Sequence, residues 1–516
     1  MENRVRPAAQ ATELGSTWCL ELELSDPRLP AGGAGRHVDA RILVRLHGEP
    51  LGYIVLPLQG GPISVDQAVA AARVRFRTSI ADHLEADGLT GGESASSTAG
   101  ERHHGETRTA ALPARSEACV FQAVPASAVT VVVCTRDRPA LLAGTLRSLR
   151  ALTHRPVEIL VVDNASRQAT TREVFAAEVG SDERFRYVRE DRAGLSFARN
   201  RGLAEASGEI VAFTDDDARP DPEWLQGLLR GFQRRDDVAC VTGLVASATL
   251  DTTAERYFDA RVSWADNCRP MLWDLTHNRL DVPSYPYCSG MFGTGANFAV
   301  RASVMRELGG FDEALGAGTP PGGGEDLDAF ARIILAGHWL AYEPSAIVWH
   351  THRDNLRALR RQMFQYGTGM TGYLTKHIYD RKSRRRILTL VPRGIWTSRL
   401  IGERTKDTPT AEIAAMRRQL IFAEYLGFAA GPVLYARSRR ERPPRSWDQI
   451  TRDAALAGPA TPPASATRAV SLDQAKQVDA AIPDTSRIPA LRPDGRSQPG
   501  QPTQDSHPRP SWPPTR

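Results

Sequence analysis

Cysteine is scarce in this chain: six in 516 residues, with no CxxC pair and no spacing to histidine that suggests zinc or a disulfide framework. A reducing compartment is the expectation. Long apolar runs are missing too, since nothing approaches the ~18 consecutive apolar residues of a membrane-spanning helix. The opening stretch MENRVRPAAQATELGSTW has no apolar core of the signal-peptide kind. These absences point to a cytoplasmic protein, able at most to touch a membrane peripherally at its inner face. An excess of one charge is also lacking: 65 Lys and Arg against 60 Asp and Glu leave a net charge of +5. The positive charge collects at Arg381-Lys382-Ser383-Arg384-Arg385-Arg386, so nucleic acid is not the expected partner.

What is present is an ordinary globular composition, 41% hydrophobic and 24% charged, with length enough for two or three domains. Residues 1–87 read as a small α/β accessory module. Ile42, Val44 and Leu46 alternate, His47-Gly48-Glu49-Pro50 reads as a turn, and Tyr53 to Leu56 returns as a second strand. Ser64 with Gln67 then makes a capping box for a helix along Val69, Ala72, Phe76 and Ile80. No cluster of catalytic residue types is legible in this module. Residues 88–125, rich in Gly, Ser, Thr and Ala, read as a flexible linker in which the pair His103-His104 is expected to be solvated.

From 126 to 355 the texture becomes strand and helix in alternation. Val129 to Val133, Val157 to Val162, Phe185 to Val188 and Ile210 to Phe213 are continuous apolar strands separated by helical patterns. Such strands predict a mainly parallel, doubly wound sheet covered on both faces. Ligands of these sheets sit beyond the carboxyl ends of the strands, which selects Thr135 and Arg136, Asp163, and Asp215 to Asp217. The last three are adjacent carboxylates at the tip of a buried strand, an arrangement that repels itself unless a cation or water compensates. Period-two geometry puts Asp215 and Asp217 on one face and Asp216 on the other. Oxygen ligands of this kind suit Mg²⁺ or Mn²⁺, with a diphosphate filling the shell. A solvated turn capping the next helix is the plainer alternative.

Downstream, Gly322-Gly323-Gly324 leads into Glu325 and Asp326 at the start of a helix. The glycines allow a moving loop and close approach to a ligand; of the two acids, one can act as a base while the other holds the helix. His350 closes a strand-like run and could complete a metal shell, with His352 as a rival.

Taken together, VVVCTRDRP, LVVDNAS, GLSFARNRGLAEASGEIVAFTDDDARPDPEWL, GTGANFAVR, LGGFDEALGAG and GGGEDLDAFARI resemble a family 2 glycosyltransferase of the GT-A fold, over about residues 128–352. The resemblance implies inverting, metal-dependent sugar transfer from a nucleoside diphosphate sugar to a hydroxyl acceptor. By position, Thr135, Arg136, Asp163 and Arg199 would lie at the nucleotide, and Asp215 to Asp217 would be the DXD region with Asp217 the direct metal ligand. Asp326 would be the base and His350 the histidine of the metal shell. The QxxRW motif of processive synthases is absent, which favours single or distributive transfer. A nucleotidyltransferase, or a binding module of the same fold without chemistry, is the competing reading. The first would need a lysine-bearing glycine loop where Cys134 to Pro139 stands.

After the core, residues 356–440 read as a basic helical region. Leu356, Leu359, Met363, Phe364, Tyr366, Met370, Tyr373 and Leu374 make an apolar stripe, with a break expected near Gly367 and Gly369. Packing on the core is its ordinary role. Joined to residues 381–386 and Leu420 to Leu434, it would also form a surface for anionic lipid and a lipid-linked acceptor. Residues 441–516, with 14 of the 35 prolines, read as a disordered tail.

Overall fold

The computed structural model describes residues 16–30, 37–58, 61, 63–89, 111–116, 119, 124, 127–262, 265–389 and 411–458. The expectations for His103-His104 and for the far part of the C-terminal tail lie outside these residues.

A nine-stranded sheet forms the centre. Strands β4 (Val129–Thr135), β5 (Val157–Asn164), β6 (Phe185–Glu190) and β7 (Ile210–Asp215) run parallel in the order β7-β4-β5-β6. The period-two rule is visible in the packing. Val129, Val131, Val133, Ile159 and Val161 enter one apolar core with helices α3 (Pro139–Arg150) and α4 (Thr170–Val179). Val132, Leu160 and Val162 enter the opposite core with α5 (Leu195–Glu205). Strands buried on both faces explain why these runs are continuously apolar.

The sheet is mixed, however, beyond β7. There β11 (Asn297–Arg301) runs antiparallel between β7 and β9 (Val238–Ser247), and β12 (Trp339–His350) then pairs parallel with β9. The short β8 (Ala218–Pro220) crosses from the end of β7 to pair with the end of β12, His350 opposite Ala218. That crossing carries the acidic strand tip to the histidine.

The N-terminal module has β1 (Ser16–Glu23) parallel to β2 (His37–Leu46), and β2 in a hairpin with β3 (Glu49–Pro57). The hairpin turn is the dipeptide His47-Gly48, both at positive φ (53° and 87°), as a two-residue turn between twisted strands requires. Ser64 and Gln67 form both halves of the capping box of α1 (Val65–Arg75), followed by α2 (Arg77–Ala86). The module is fastened to the central sheet. Arg45 holds the buried Asp221 at 2.7 Å, Arg115 holds Glu223 at 2.9 Å, and Leu43 packs on Leu244, Ala246 and Ile347.

Two expectations about the C-terminal region are corrected. Helix α10 (Leu356–Tyr379) is unbroken through Gly367 and Gly369. Its glycines serve packing, because a Cβ on Gly367 would meet the Glu424 carbonyl oxygen of α11 (Ala411–Glu441) at 2.3 Å. One on Gly369 would meet Gly323 at 2.9 Å, and one on Gly324 would meet the Gly369 oxygen at 2.5 Å. The Gly322–Gly324 run is thus seated on a helix, where the sequence suggested a loop free to move. The tail also begins in order. Ser446 caps α12 (Trp447–Leu456), which lies on α5, with Asp453 3.0 Å from Arg192. Apolar Trp447, Ile450 and Ala454, spaced three to four apart amid prolines, supply the buried stripe.

Candidate active site

Strand β7 ends at Asp215, and the following turn bends Asp217 back to the same side. Asp215, Asp217 and His350 each offer one ligand atom, all within 4.8 Å of one another. His350 Nε2 is 3.3 Å from Asp217 Oδ1. Burial would raise Asp217, but the hydrogen bond and charge of His350, helped by Arg138, hold it well below the usual carboxylate range. His350 answers in kind: burial works against its charge, and Asp217 outweighs burial, so its value is raised. Burial lifts Asp215, opposed by Arg199 and reinforced by repulsion from Asp217. His352 is not part of the group. It is buried, its Nε2 2.8 Å from the Ser247 hydroxyl, and burial together with His350 pushes it down to about 4.

Asp216 points the other way. Its carboxylate accepts from the Thr135 hydroxyl at 2.8 Å and from Arg138 at 2.7 Å, while Arg138 also reaches Asp217 at 3.1 Å. Thr135 and Asp216, both expected at the nucleotide, therefore brace the turn from behind. Burial raises Asp216 against the pull of Arg138. Asp163 is similarly engaged: it accepts from the Ser166 amide at 3.0 Å, from Arg189 at 2.8 Å and from the Tyr187 hydroxyl. A carboxylate offers about four acceptor positions, so about one remains. Arg136 is the more open neighbour, with its side chain 37% exposed beside the Gly316–Gly318 loop.

Arg199 is buried between Asp215 and Glu325. Its guanidinium donates to Glu325 at 2.8 Å and to the Gly295 carbonyl at 2.9 Å, stands 3.7 Å from Asp215, and packs over Phe298 and Phe311. Glu325, the first residue of α9 (Glu325–Leu335), is buried, and burial first, then the charge of Asp326, raises it above the ordinary value. Its Oε2 has no hydrogen-bond partner among the described residues. Asp326 is half-buried and accepts from the Gly295 amide at 2.7 Å. The two acids divide as adjacent helical residues must: Glu325 holds the arginine, and Asp326 stays partly exposed.

Sequence reasoning passed over Arg138, which the family-like CTRDRP run contains and which the paired Asp216 and Asp217 could have flagged as needing a counter-charge. It also passed over a group outside the cleft. The sequence shows no cluster of catalytic residue types in the N-terminal module and no Cys–His spacing that suggests zinc, yet His47, His83 and Asp87 meet Cys119 of the following segment in space. Their positions share no local spacing beyond the i, i+4 pair His83 and Asp87.

Residues 130–309 match the family model "Glycosyl transferase family 2". The chain is 30% identical over 255 residues to a pre-mycofactocin glycosyltransferase of Mycobacterium tuberculosis, a match covering 48% of each chain. It is 25% identical over 191 residues to a glucosyl-dolichyl phosphate glucuronosyltransferase of Haloferax volcanii, covering 36% of this chain and 57% of that one. The chain thus spans about half the length of these curated relatives. Among solved structures, a mannosyltransferase of Pyrobaculum calidifontis in complex with GDP-Man and Mn²⁺ aligns at a TM-score of 0.39 and 18% identity, over 65% of this chain and 87% of that one. The α/β sheet, with β4 to β7 parallel, accords with the family match.

Proposed function

We propose, from the match of residues 130–309 to the family 2 glycosyltransferase model, that this protein transfers a sugar from a nucleoside diphosphate sugar to a hydroxyl acceptor, with inversion and with a divalent cation. The observation that carries the reading is the convergence of Asp215, Asp217 and His350, with Asp326 linked to Asp215 through Glu325 and Arg199. Two carboxylates in mutual repulsion beside an imidazole are a donor set suited to Mn²⁺ or Mg²⁺. When bound there, such an ion would supply charge neutralisation for the departing diphosphate.

The chain's own residues account for the rest. Asp326, open to the cleft, takes the proton of the attacking hydroxyl. Glu325 and Arg199 position Asp326 and Asp215 relative to one another and keep both acids supported. Arg136 and the open side of the β4 and β5 ends are offered to the nucleotide. A single base facing the sugar opposite the leaving group gives inversion by the geometric logic known for glycosidases.

The acceptor surface we propose lies toward the C-terminal helices. Phe422, Leu426 and Val433 of α11 are exposed, as are Arg381, Lys382, Arg384 and Arg385. Exposed apolar side chains on α11 and an exposed basic run after α10 are the features that suit peripheral contact with anionic lipid and a lipid-linked acceptor. No helix among the described residues is long and apolar enough to cross a membrane.

A nucleotide-sugar panel, assayed for transfer and hydrolysis with and without Mn²⁺ or Mg²⁺ and followed by the anomeric configuration of the product, tests the reading. Metal-dependent turnover of one donor with inverted product is expected. Retained configuration, or turnover of nucleoside triphosphates instead, would overturn it.

A further inference from the structure

The four residues in the N-terminal module stand apart from the cleft. His47 sits at the β2–β3 turn, His83 and Asp87 face one another across the last turn of α2, and Cys119 returns on the segment leading to the central sheet. All are buried, and the side chains of His47 and Asp87 are 0% exposed. His47 Nδ1 is 2.8 Å from Asp87 Oδ2 and 3.0 Å from His83 Nε2; His83 Nε2 is 3.3 Å from Asp87 Oδ2; and Cys119 Sγ is 3.9 Å from His47 Nδ1.

The outer nitrogens fix the tautomers. His47 Nε2 faces the Pro113 carbonyl at 2.9 Å, and His83 Nδ1 faces the Glu49 carboxylate at 2.6 Å. Both partners only accept, so these nitrogens carry the protons. In a neutral imidazole the other nitrogen is the lone-pair donor, so the inner nitrogens, which face each other and Asp87, are the atoms able to ligate. Asp87 Oδ1 is buried without a hydrogen-bond partner among the described residues. Two imidazole nitrogens, a carboxylate oxygen and a sulfur gathered within 4.8 Å, out of water, are suited to share a positive centre.

We propose that His47, His83, Asp87 and Cys119 bind a structural Zn²⁺. With Zn–N near 2.0–2.1 Å, the edge of a tetrahedron is about 3.3 Å, lengthening to about 3.6 Å toward sulfur. The separations above bracket those values. Asp87 and a Cys119 thiolate balance the ion's charge, and four protein ligands leave no open position, which marks the site as structural. Glu49 and the Pro113 carbonyl orient the imidazoles as outer partners of metal-bound histidines do. The ion would tie the hairpin, α2 and the 111–119 segment together, and Arg115 within that segment reaches Glu223 of the central domain.

The full-length protein, stripped with a chelator, is titrated with Zn²⁺ alone and with Co²⁺ alone. One tightly held equivalent of zinc is expected, and the cobalt form should show intense tetrahedral bands with a thiolate charge-transfer band. Cys119→Ser should lose that band, His83→Gln should lose the equivalent, and Glu49→Gln should weaken zinc about 10- to 100-fold. Asp217→Ala should keep it, which separates this site from the cleft. If His83→Gln does not fold, the wild-type cobalt spectrum decides. Absence of a stoichiometric ion in the stripped and reloaded protein, or a cobalt spectrum without a thiolate band, overturns the assignment.

Discussion

Arg199 and Glu325 form a buried ion pair, guanidinium nitrogen to carboxylate oxygen 2.8 Å, that couples the strand-end aspartates to the acids at the start of α9. Arg199 also stands 3.7 Å from Asp215, so one cation serves both acidic groups from below. Removing it leaves charge without compensation. Arg199→Met should lower stability by about 3–5 kcal/mol, as loss of one partner of a buried pair does. Adding Glu325→Gln should recover part of that loss. Denaturant unfolding of both variants measures it, and an unchanged midpoint in Arg199→Met would contradict the pairing.

Asp326→Asn replaces the proposed base and keeps the shape and the Gly295 contact. Transfer should fall by at least about 100-fold, in line with the size of general-base effects. Donor affinity, read by calorimetry, should stay within about twofold of wild type. Near-normal turnover would take Asp326 out of the reaction.

Asp217→Ala and His350→Ala should each weaken metal-dependent donor binding, Asp217→Ala the more. His352→Gln should not, because His352 is occupied with Ser247. Titrating Mn²⁺ in a donor-binding assay distinguishes the two histidines, and a larger effect at His352 would reverse their roles.

Glu325 carries a pH signature. Its value in the folded state is raised, chiefly by burial, above about 4.3 in the unfolded chain. Above that pH the native state holds more protons than the unfolded state, so this group's contribution to stability falls as pH rises toward neutrality. Glu325→Gln should flatten that part of the profile. Unfolding free energies at several pH values between 4.5 and 7.5 test it, and parallel profiles for the two proteins would show that Glu325 is not the source.

Gly427→Ala probes the helix crossing. A Cβ there would meet the Phe364 carbonyl oxygen at 2.2 Å, so α10 and α11 must separate. A loss of about 1–3 kcal/mol is expected from overpacking, against a small gain for alanine in an isolated helix. A thermal melt with Tm raised would show that the helices do not meet at this point.

Much of this was legible in the chain because the relevant signals are local. Apolar runs ending in polar residues placed four parallel strands and the polar residues at their tips, and the Ser64 capping box placed a helix start to the residue. Asp215 and Asp217 do share a side, but through the turn after β7, since the strand itself stops at Asp215. Signals that need three dimensions were not readable. Gly367 and Gly369 look like helix breakers until a second helix is set against them, and Gly322 to Gly324 look mobile until α10 lies beneath them. Asp216 and Thr135 are ligand types by residue but were claimed by each other. His47, His83, Asp87 and Cys119 come from three separate segments, and only folding makes them neighbours. The helix at Trp447–Leu456 was masked by the proline-rich composition around it.

Asp221 follows the aspartate turn by four positions, and its carboxylate is held by Arg45 of the N-terminal module. Glu325, Asp326 and His350 lie past residue 309, where the family match stops. Autonomy therefore belongs to a larger piece than the recognisable domain. Residues 130–309 cut free would expose Asp221 to water without Arg45 and would lack Glu325, Asp326 and His350, so a fragment trimmed to the match leaves out the partners of its own acidic turn.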